Sequence, residues 1–220
     1  MELKDAVEQR KSTRAYRREP VPREVLREIL ERALRAPSWG NTQPWKITVA
    51  GGETLRAMID ESVKRLLAGE NPRPDVERPE DWPADLERRY KENGRKLFQV
   101  LGIERGNREK RDLHRLNMVR FFGAPQAIYL HQDRTLSAYS IFDAGLLAQN
   151  IALLAEEEGL GTCFLAVSVL FPEVIRKHTG IPDTDRLLIG MAIGYPDENA
   201  PINRFRSERE KLETIVQWVE

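Results

Sequence analysis

The chain has 220 residues, and 35 lysines and arginines balance 35 aspartates and glutamates, so its formal net charge is zero. Without a basic excess, we expect neither nucleic acid nor an acidic membrane surface as a partner. Hydrophobic residues make up 40% of the chain, which favours one folded domain over a disordered or fibrous chain. Apolar stretches such as Leu146 to Ala155 fall short of the roughly 20 residues that a membrane helix needs, so no membrane is expected either.

The N-terminal residues and the cysteine count bear on location and metal binding. The first residues, MELKDAVEQRK, alternate in charge and contain no apolar segment like that of a signal peptide. The single cysteine, Cys163, excludes an internal disulfide and, with three scattered histidines, a Cys/His zinc site. The sequence therefore predicts a cytoplasmic protein without a metal.

In chain order, the first half predicts mostly helices. A short helix precedes Arg10, and a second is predicted over 22–36, where apolar residues recur at helical spacing between Pro22 and Pro37. The alternating segment 45–50 predicts a strand, and 54–67 returns to the helical period. A proline-rich loop follows, and then two charged helices are expected over 84–101 and 107–122.

The second half predicts three apolar strands and two helices. The strands are expected at 127–131, 162–167 and 187–194, with a long helix over 139–158 and a short one over 171–178. The tail Ile215–Val219 is expected to be either a last strand or the end of a helix. Strands separated by long helical stretches predict a mixed α/β sheet between layers of helices.

The familiar catalytic motifs are absent from the sequence. There is no phosphate-binding P-loop, and GLGTC lacks the third glycine of the dinucleotide fingerprint. Cys163 lies in an apolar strand, where burial is the favoured interpretation. No histidine pair or serine elbow accompanies the three histidines. Asp143, near a helix start, is expected to stabilise that helix. We therefore assign no catalytic acid, base or nucleophile.

Three polar segments do indicate a binding site. Residues 10–14 (RKSTR) place three cations and two hydroxyls within five residues, donors that suit a phosphate or polyol. In the loop 36–45, Asn41 and Gln43 offer both donors and acceptors, as the edge of a heterocyclic ring requires. If the segment 201–206 is extended, Arg204 and Arg206 point to one side, as in a phosphate clamp.

Together, these segments resemble a known family. RKSTRAY, PVP followed by a helix, APSWGNTQPW, GLGTC and GYPD with NRFR occur in the order typical of FMN-dependent nitroreductases, from about residue 7 to residue 206. The middle of the chain is most similar to nitrobenzoate reductase-like members. The resemblance implies the α+β nitroreductase fold, a central mixed β-sheet flanked by helices, in one domain over 1–220. It also implies an intertwined homodimer with FMN at the interface and a C-terminal dimerisation tail at about 207–220.

The resemblance also implies which residues hold FMN. The first segment would bind the phosphate, ribityl chain and pyrimidine edge, with Lys11 where arginine is commoner, and the loop would reach the flavin partly from the neighbouring subunit. This chain has Ala166-Val167 where many relatives have Glu-Gly or a similar small pair, so only a backbone N–H is implied near flavin N5. The implied FMN-binding residues are Arg10, Lys11, Ser12, Arg14, Pro37, Ser38, Asn41, Gln43, Ala166, Val167, Arg204 and Arg206.

The implied activity is the transfer of two electrons from NAD(P)H through flavin N5 to a nitroaromatic or quinone-like acceptor, in ping-pong order. The flavin would carry the chemistry, which agrees with the missing catalytic motifs. The charged segment 71–115 is expected to cover the flavin. Aromatic side chains in and beyond it, Trp82, Tyr90, Phe121 and Phe122, could stack on an aromatic substrate or pack the helices onto the core.

Three alternatives stay open. The same fold could reduce another electron-poor substrate, as a dehalogenase or a flavin-consuming enzyme. The chain could bind flavin without turnover. If the resemblance misleads, its highly charged middle could be a helical interaction module.

Overall fold

The computed structural model describes residues 1–77 and 79–220. Its helices are α1 (Leu3–Gln9), α2 (Arg23–Ala33), α3 (Gly52–Leu67), α4 (Ala84–Val100), α5 (Arg108–Val119), α6 (Ala138–Glu157), α7 (Pro172–Thr179) and α8 (Leu212–Ile215). Its strands are β1 (Lys46–Gly51), β2 (Gln126–Asp133), β3 (Gly161–Leu165) and β4 (Asp185–Gly194). Each predicted helix and strand before the C-terminal tail is confirmed, with ends that differ by a few residues.

The four strands form one sheet in the order β1-β2-β4-β3. All three neighbouring pairs are antiparallel. The mixed character expected of the sheet is confined to a single parallel bridge, in which Ser12 pairs with Thr162 beside β3. This bridge brings the N-terminal segment to the edge of the sheet.

Helices cover both faces of the sheet. On one face, α2 and α6 pack on β2 and β4 through a cluster that includes Ile29, Leu147 and Ile151. On the other face, α3 and α7 pack through a second cluster that includes Leu55, Tyr129 and Ile175. Because alternate residues of a strand point to opposite faces, both faces of β2 are apolar and buried.

The long helix α6 is apolar almost all round. With 20 residues, it is long and apolar enough to cross a membrane by length and composition, contrary to the expectation from the shorter apolar runs. The apolar composition of α6 is explained by its position, because Leu147, Ile151 and Ala155 are buried in the core. The opposite side of the helix leaves Phe142 66% exposed.

The two charged helices and the tail lie outside this sandwich. Leu97 of α4 packs on Ile202 and Phe205 in a small separate cluster. The C-terminal tail forms the short helix α8 and no strand, so Ile215 is the end of a helix. Ile215, Trp218 and Val219 are exposed.

Candidate functional site

The segment 10–14 lies against the beginning of β3. The N–H of Thr13 donates to the Thr162 carbonyl over 2.9 Å, and Ser12 forms the parallel bridge with the same residue. Gly161, in the GLGTC motif, has no Cβ, and the side chain of Thr13 fills the space where a Cβ would lie. The close approach of two backbones therefore explains this glycine.

The C-terminal segment joins the N-terminal one through hydrogen bonds. Asn203, which is 4% exposed, accepts from the N–H of Arg14 over 2.7 Å and donates to the Ala15 carbonyl over 2.8 Å. Arg206 donates to the carbonyls of Glu8 and Gln9, where α1 ends. Residues almost 200 positions apart in the chain thus form one surface.

This surface concentrates positive charge around one carboxyl group. Burial raises the pKa of Glu156, at the end of α6, and the nearby charges of Lys11, Arg10 and Arg206 oppose that rise. Among the described residues, no carboxylate lies within 4.0 Å of a side-chain nitrogen of Arg10, Lys11, Arg14, Arg204 or Arg206. Cations without a close counter-ion suit a multiply charged anion.

The extended conformation expected of segment 201–206 is wrong for its first four residues. Pro201–Arg204 forms a 3-10 turn, and Phe205 after it has an extended backbone. The proline at the start of the turn fixes a φ that suits this geometry. An extended backbone therefore does not turn Arg204 and Arg206 to one side, and of the two it is Arg206 whose contacts place it beside residues 8–11.

The loop 37–43 is a separate polar surface, fixed by its own hydrogen bonds. The N–H of Gln43 donates to the Ser38 hydroxyl over 2.9 Å, and the side chain of Gln43 donates to the Asn41 carbonyl over 3.3 Å. Asn41 and Gln43 both have left-handed backbones, with φ of 54° and 48°. Such strain is stored where the surroundings demand a particular loop shape. The side chains of Pro37, Asn41 and Gln43 are exposed.

Asp143 anchors this loop to α6. Its carboxylate, on a residue 4% exposed, accepts from the N–H of Trp39, with both oxygens 3.3 Å from the nitrogen. Asp143 and Glu156 are 13 residues apart on one helix, so the loop and the cationic surface are separated by about 20 Å along α6. One protomer therefore presents two half-sites.

Ala166 and Val167 begin a 3-10 turn where β3 ends, instead of continuing the strand as predicted. Ala166 is exposed and Val167 packs partly on the core. Cys163 is buried, which raises the pKa of its thiol, although Ser12 and the nearby arginines oppose this. A buried thiol with a raised pKa is a poor nucleophile, as the sequence predicted.

The cover expected over 71–115 corresponds to α4 and α5. Within this range, Arg78 lies outside the described residues. Helix α5 packs on the 3-10 turn that contains Ala166, and α4 packs on the turn that contains Arg204. Lys96 and Arg89 of α4 also pair with Glu208 and Glu210, at 2.5 and 2.9 Å.

The four aromatic candidates for substrate contact divide into two groups. Trp82 and Tyr90 stack on one another at 6.4 Å on the exposed side of the cover. Phe121 is wrong as a substrate contact, because it is 2% exposed and packs edge-on against Tyr129 in the core. Phe122 is partly buried and lies 5.7 Å from the ring of His114, which is itself edge-on to Phe98.

Sequence reasoning missed several residues of the site. Thr13 holds the segment 10–14 against β3, and Asn203 joins this segment to the turn 201–204. Glu156 lies near the charges of both segments, and Asp143 anchors the loop rather than only stabilising its helix. The available signals were weak: a polar residue between Ile202 and Arg204, and an aspartate in an otherwise apolar helix.

Comparison with known proteins identifies the family of this chain. The model of the Nitroreductase family matches residues 7–195. The chain is 34% identical to 4-nitrobenzoate reductase of Pseudomonas putida, over 97% of this chain and 93% of that protein. It is 30% identical to nitroreductase NfnB of Mycolicibacterium smegmatis (strain ATCC 700084 / mc(2)155), over 95% and 89% of the two chains.

Solved structures share the whole fold. The crystal structure of the FMN and NADPH-dependent nitroreductase NfnB from Sphigopyxis sp. strain HMH superposes with a TM-score of 0.97 at 33% identity, over 100% of both chains. The FMN-dependent nitroreductase NfnB from Mycobacterium smegmatis, in complex with NADPH, gives 0.93 at 28% identity over 99% and 97%. The chain described here belongs to the nitroreductase family.

Proposed function

We propose that this protein is an FMN-dependent oxidoreductase that transfers two electrons from NAD(P)H to nitroaromatic or quinone-like acceptors. The observation that carries the proposal is the cationic surface made where residues 10–14 meet residues 201–206 beside β3. Two supporting relatives are the 4-nitrobenzoate reductase of Pseudomonas putida and the FMN and NADPH-dependent NfnB of Sphigopyxis.

The donor set of the surface fits FMN. Arg10, Lys11 and Arg206 all carry positive charge near Glu156 and would bind the phosphate. Ser12 offers a hydroxyl for the ribityl chain, and Arg14 a fork of donors for the pyrimidine edge. Arg204 is exposed one residue from the buried Phe205 and remains a second candidate for the phosphate.

When bound, FMN accepts a hydride from a nicotinamide and passes two electrons to an acceptor. The chain's own residues bind and orient it. Arg14 would place positive charge beside its pyrimidine edge, and the exposed Ala166 leaves space where β3 ends. Helix α5 packs on the turn that contains Ala166 and α4 on the turn that contains Arg204, so the two helices would cover this side and exclude water from it.

We further propose a homodimer in which the loop 37–43 of one protomer, with Pro37, Ser38, Asn41 and Gln43, reaches the FMN on its partner. The separation of the two half-sites along α6 supports this arrangement, since the loop lies about 20 Å along the helix from the cationic surface of its own chain. An apolar groove of about 340 Å³, lined by Ile141, Ala148 and Phe164 among others, lies beside the exposed side of α6 and would receive the second copy. The apolar tail from Ile215 to Val219 would cross to the partner.

A cytoplasmic location is also proposed. The single cysteine, Cys163, is buried and free, which supports a reducing compartment.

The test is the identity of the bound cofactor and its use. The purified protein should be yellow, should release FMN rather than FAD on denaturation, and should consume NADPH or NADH when 4-nitrobenzoate is added. A colourless protein that cannot be reconstituted with FMN would refute the proposal. A yellow protein that neither nucleotide reduces would instead be a flavin-binding protein without turnover.

A further inference from the structure

The side chain of Asn203 connects the two segments that carry the cationic surface. Its oxygen accepts from the N–H of Arg14 over 2.7 Å, and its nitrogen donates to the carbonyls of Ala15 and Asp197 over 2.8 and 2.9 Å. We propose that Asn203 is a positioning residue that holds Arg14 and Arg206 in register for the cofactor phosphate and pyrimidine edge. This proposal rests on the proposed FMN-dependent function.

The hydrogen bonds of Asn203 leave little room for substitution. The residue is 4% exposed, so any partner left without a hydrogen bond is shielded from water. The site needs one acceptor and two donors, which only an amide side chain of this length provides. An aspartate would turn a carboxylate toward the carbonyls of Ala15 and Asp197. An alanine would leave the N–H of Arg14 without its acceptor, whereas the two carbonyls would still accept from the N–H groups of Asp197 and Ala200.

Both arginines depend on this junction, although Asn203 touches neither guanidinium group. The backbone of Arg14 is held directly, and its guanidinium lies 5.7 Å from the centre of the Phe205 ring. Phe205 is buried and links Asn203 to Arg206 along the chain. If the turn 201–204 shifted, Arg206 would also lose its place against the carbonyls where α1 ends.

Asn203 joins two segments that are far apart in the sequence. Arg14 and Asn203 are separated by 189 positions. Two further backbone hydrogen bonds join the segments, from the N–H of Asp197 to the Ala15 carbonyl at 3.0 Å and from the N–H of Arg17 to the Tyr195 carbonyl at 2.9 Å. Both lie before the turn 201–204, whereas Asn203 lies within it, so its hydrogen bond to Arg14 ties the turn itself to the N-terminal segment.

The experiment measures the affinity of the protein for FMN and for riboflavin, which lacks the phosphate. Flavin fluorescence released on dilution of the holoprotein gives the dissociation constant for FMN, and titration of the apoprotein gives that for riboflavin. For Asn203→Ala we expect the FMN dissociation constant to rise at least tenfold. The riboflavin constant should rise by a smaller factor, because riboflavin keeps the pyrimidine edge assigned to Arg14 but lacks the phosphate assigned to Arg206. Asn203→Ser, which retains one acceptor, serves the same purpose if the alanine variant does not fold.

Two controls separate positioning from general stability. Asn199→Ala removes an exposed asparagine from the same segment and should leave both constants unchanged. Val174→Ala removes buried methyl groups from α7, in the core, and should lower the melting temperature without changing the ratio of the two constants.

The outcomes distinguish this proposal from the proposed function. If the wild-type protein binds FMN but the Asn203 variant binds both flavins as tightly as the wild type does, the positioning role is wrong. An equal loss for both flavins would make Asn203 a structural residue only, which also overturns the inference. A wild-type protein that binds no FMN would refute the function itself.

Discussion

The side chain of Thr13 lies directly over Gly161, so closely that a Cβ on this glycine would be 2.7 Å from the Cβ of Thr13. Real Cβ atoms do not approach this closely, and the overlap is with a β-branched side chain that is itself buried. The two sequence motifs RKSTR and GLGTC are therefore two sides of one contact. The glycine serves the cationic segment rather than a nucleotide loop.

Gly161→Ala should push the segment 10–14 away from β3. We expect a loss of about 1–3 kcal/mol in the free energy of unfolding, as for other overpacked sites, together with weaker FMN retention. Urea denaturation and flavin release measure the two effects. Gly94→Ala is the control: Gly94 lies inside α4 with no atom within 4 Å of its Cβ position, so it should gain up to about 1 kcal/mol. Unchanged stability and flavin content in Gly161→Ala would contradict the contact.

Arg206→Ala should weaken FMN binding more than it weakens the fold. A hydrogen bond to a charged group contributes about 1.5–3 kcal/mol, so the dissociation constant for FMN should rise about 10- to 100-fold. Equilibrium flavin binding and thermal denaturation give the comparison. Arg209→Ala is the matched control, since within the described part of the chain the Arg209 guanidinium donates hydrogen bonds to Ser207 and Glu208 of its own segment. Equal flavin content in the two variants would exclude Arg206 from the phosphate site.

Acid should destabilise the protein through His131. This residue lies near the end of β2, beside the beginning of β4. Burial lowers the pKa of His131, and its hydrogen bond to Asp185, 2.8 Å long, only partly opposes this. Thr48 and Lys46 from β1 and Arg176 from α7 also face this pair. Burial alone would raise the pKa of Asp185, but Lys46 and His131 hold it below its usual value.

The sign follows from a folded-state pKa of His131 below the unfolded value of about 6.5. The contribution of His131 to stability is full above that value and is lost as the pH falls below it, at no more than ~1.4 kcal/mol per pH unit. Urea unfolding between pH 7.5 and 5 should show a shallower loss for His131→Asn than for the wild type. Burial also lowers the pKa of His114, but His114 is present in both proteins, so its effect on stability is the same in the two curves. Parallel curves for the two proteins would show that His131 takes up no extra proton on unfolding.

The exposed side of α6 should form the dimer interface. Phe142→Glu would place a charge in an apolar contact, so light scattering should give one chain mass for this variant and twice that mass for the wild type. Leu67→Glu alters a side chain of nearly equal exposure, 67% against 66%, at the end of α3 on the opposite face of the sheet. It should remain dimeric. A wild-type monomer, or a dimeric Phe142→Glu, would refute the interface.

Much of the fold could be predicted because hydrophobic period and helix boundaries are local. The helices α2 and α6 and the buried strands β2 and β4 follow from such patterns. Strand direction could not, since antiparallel pairing of β3 with β4 depends on distant residues. The 3-10 turn that ends at Arg204 was missed for a similar reason, because packing of Ile202 and Phe205 on α4 fixes its shape.

The residue types of the site could be predicted from the sequence, but the contacts between distant residues could not. The composition of RKSTR revealed donors, but only the folded chain brings Asn203 to Arg14 and Glu156 to Lys11. An aromatic residue gives no sign in sequence of whether it is exposed, so Phe121 and Trp82 looked equivalent until their packing was known.

The most direct measurement of the central claim is the absorbance of the bound flavin through one anaerobic cycle. Addition of NADPH or NADH to the holoprotein should bleach the yellow colour in proportion to the nucleotide added. Addition of 4-nitrobenzoate should then restore it, with two electrons transferred per flavin. If neither nucleotide bleaches the flavin, or if the bleached protein does not return electrons to a nitroaromatic or a quinone, the protein is not the oxidoreductase proposed here.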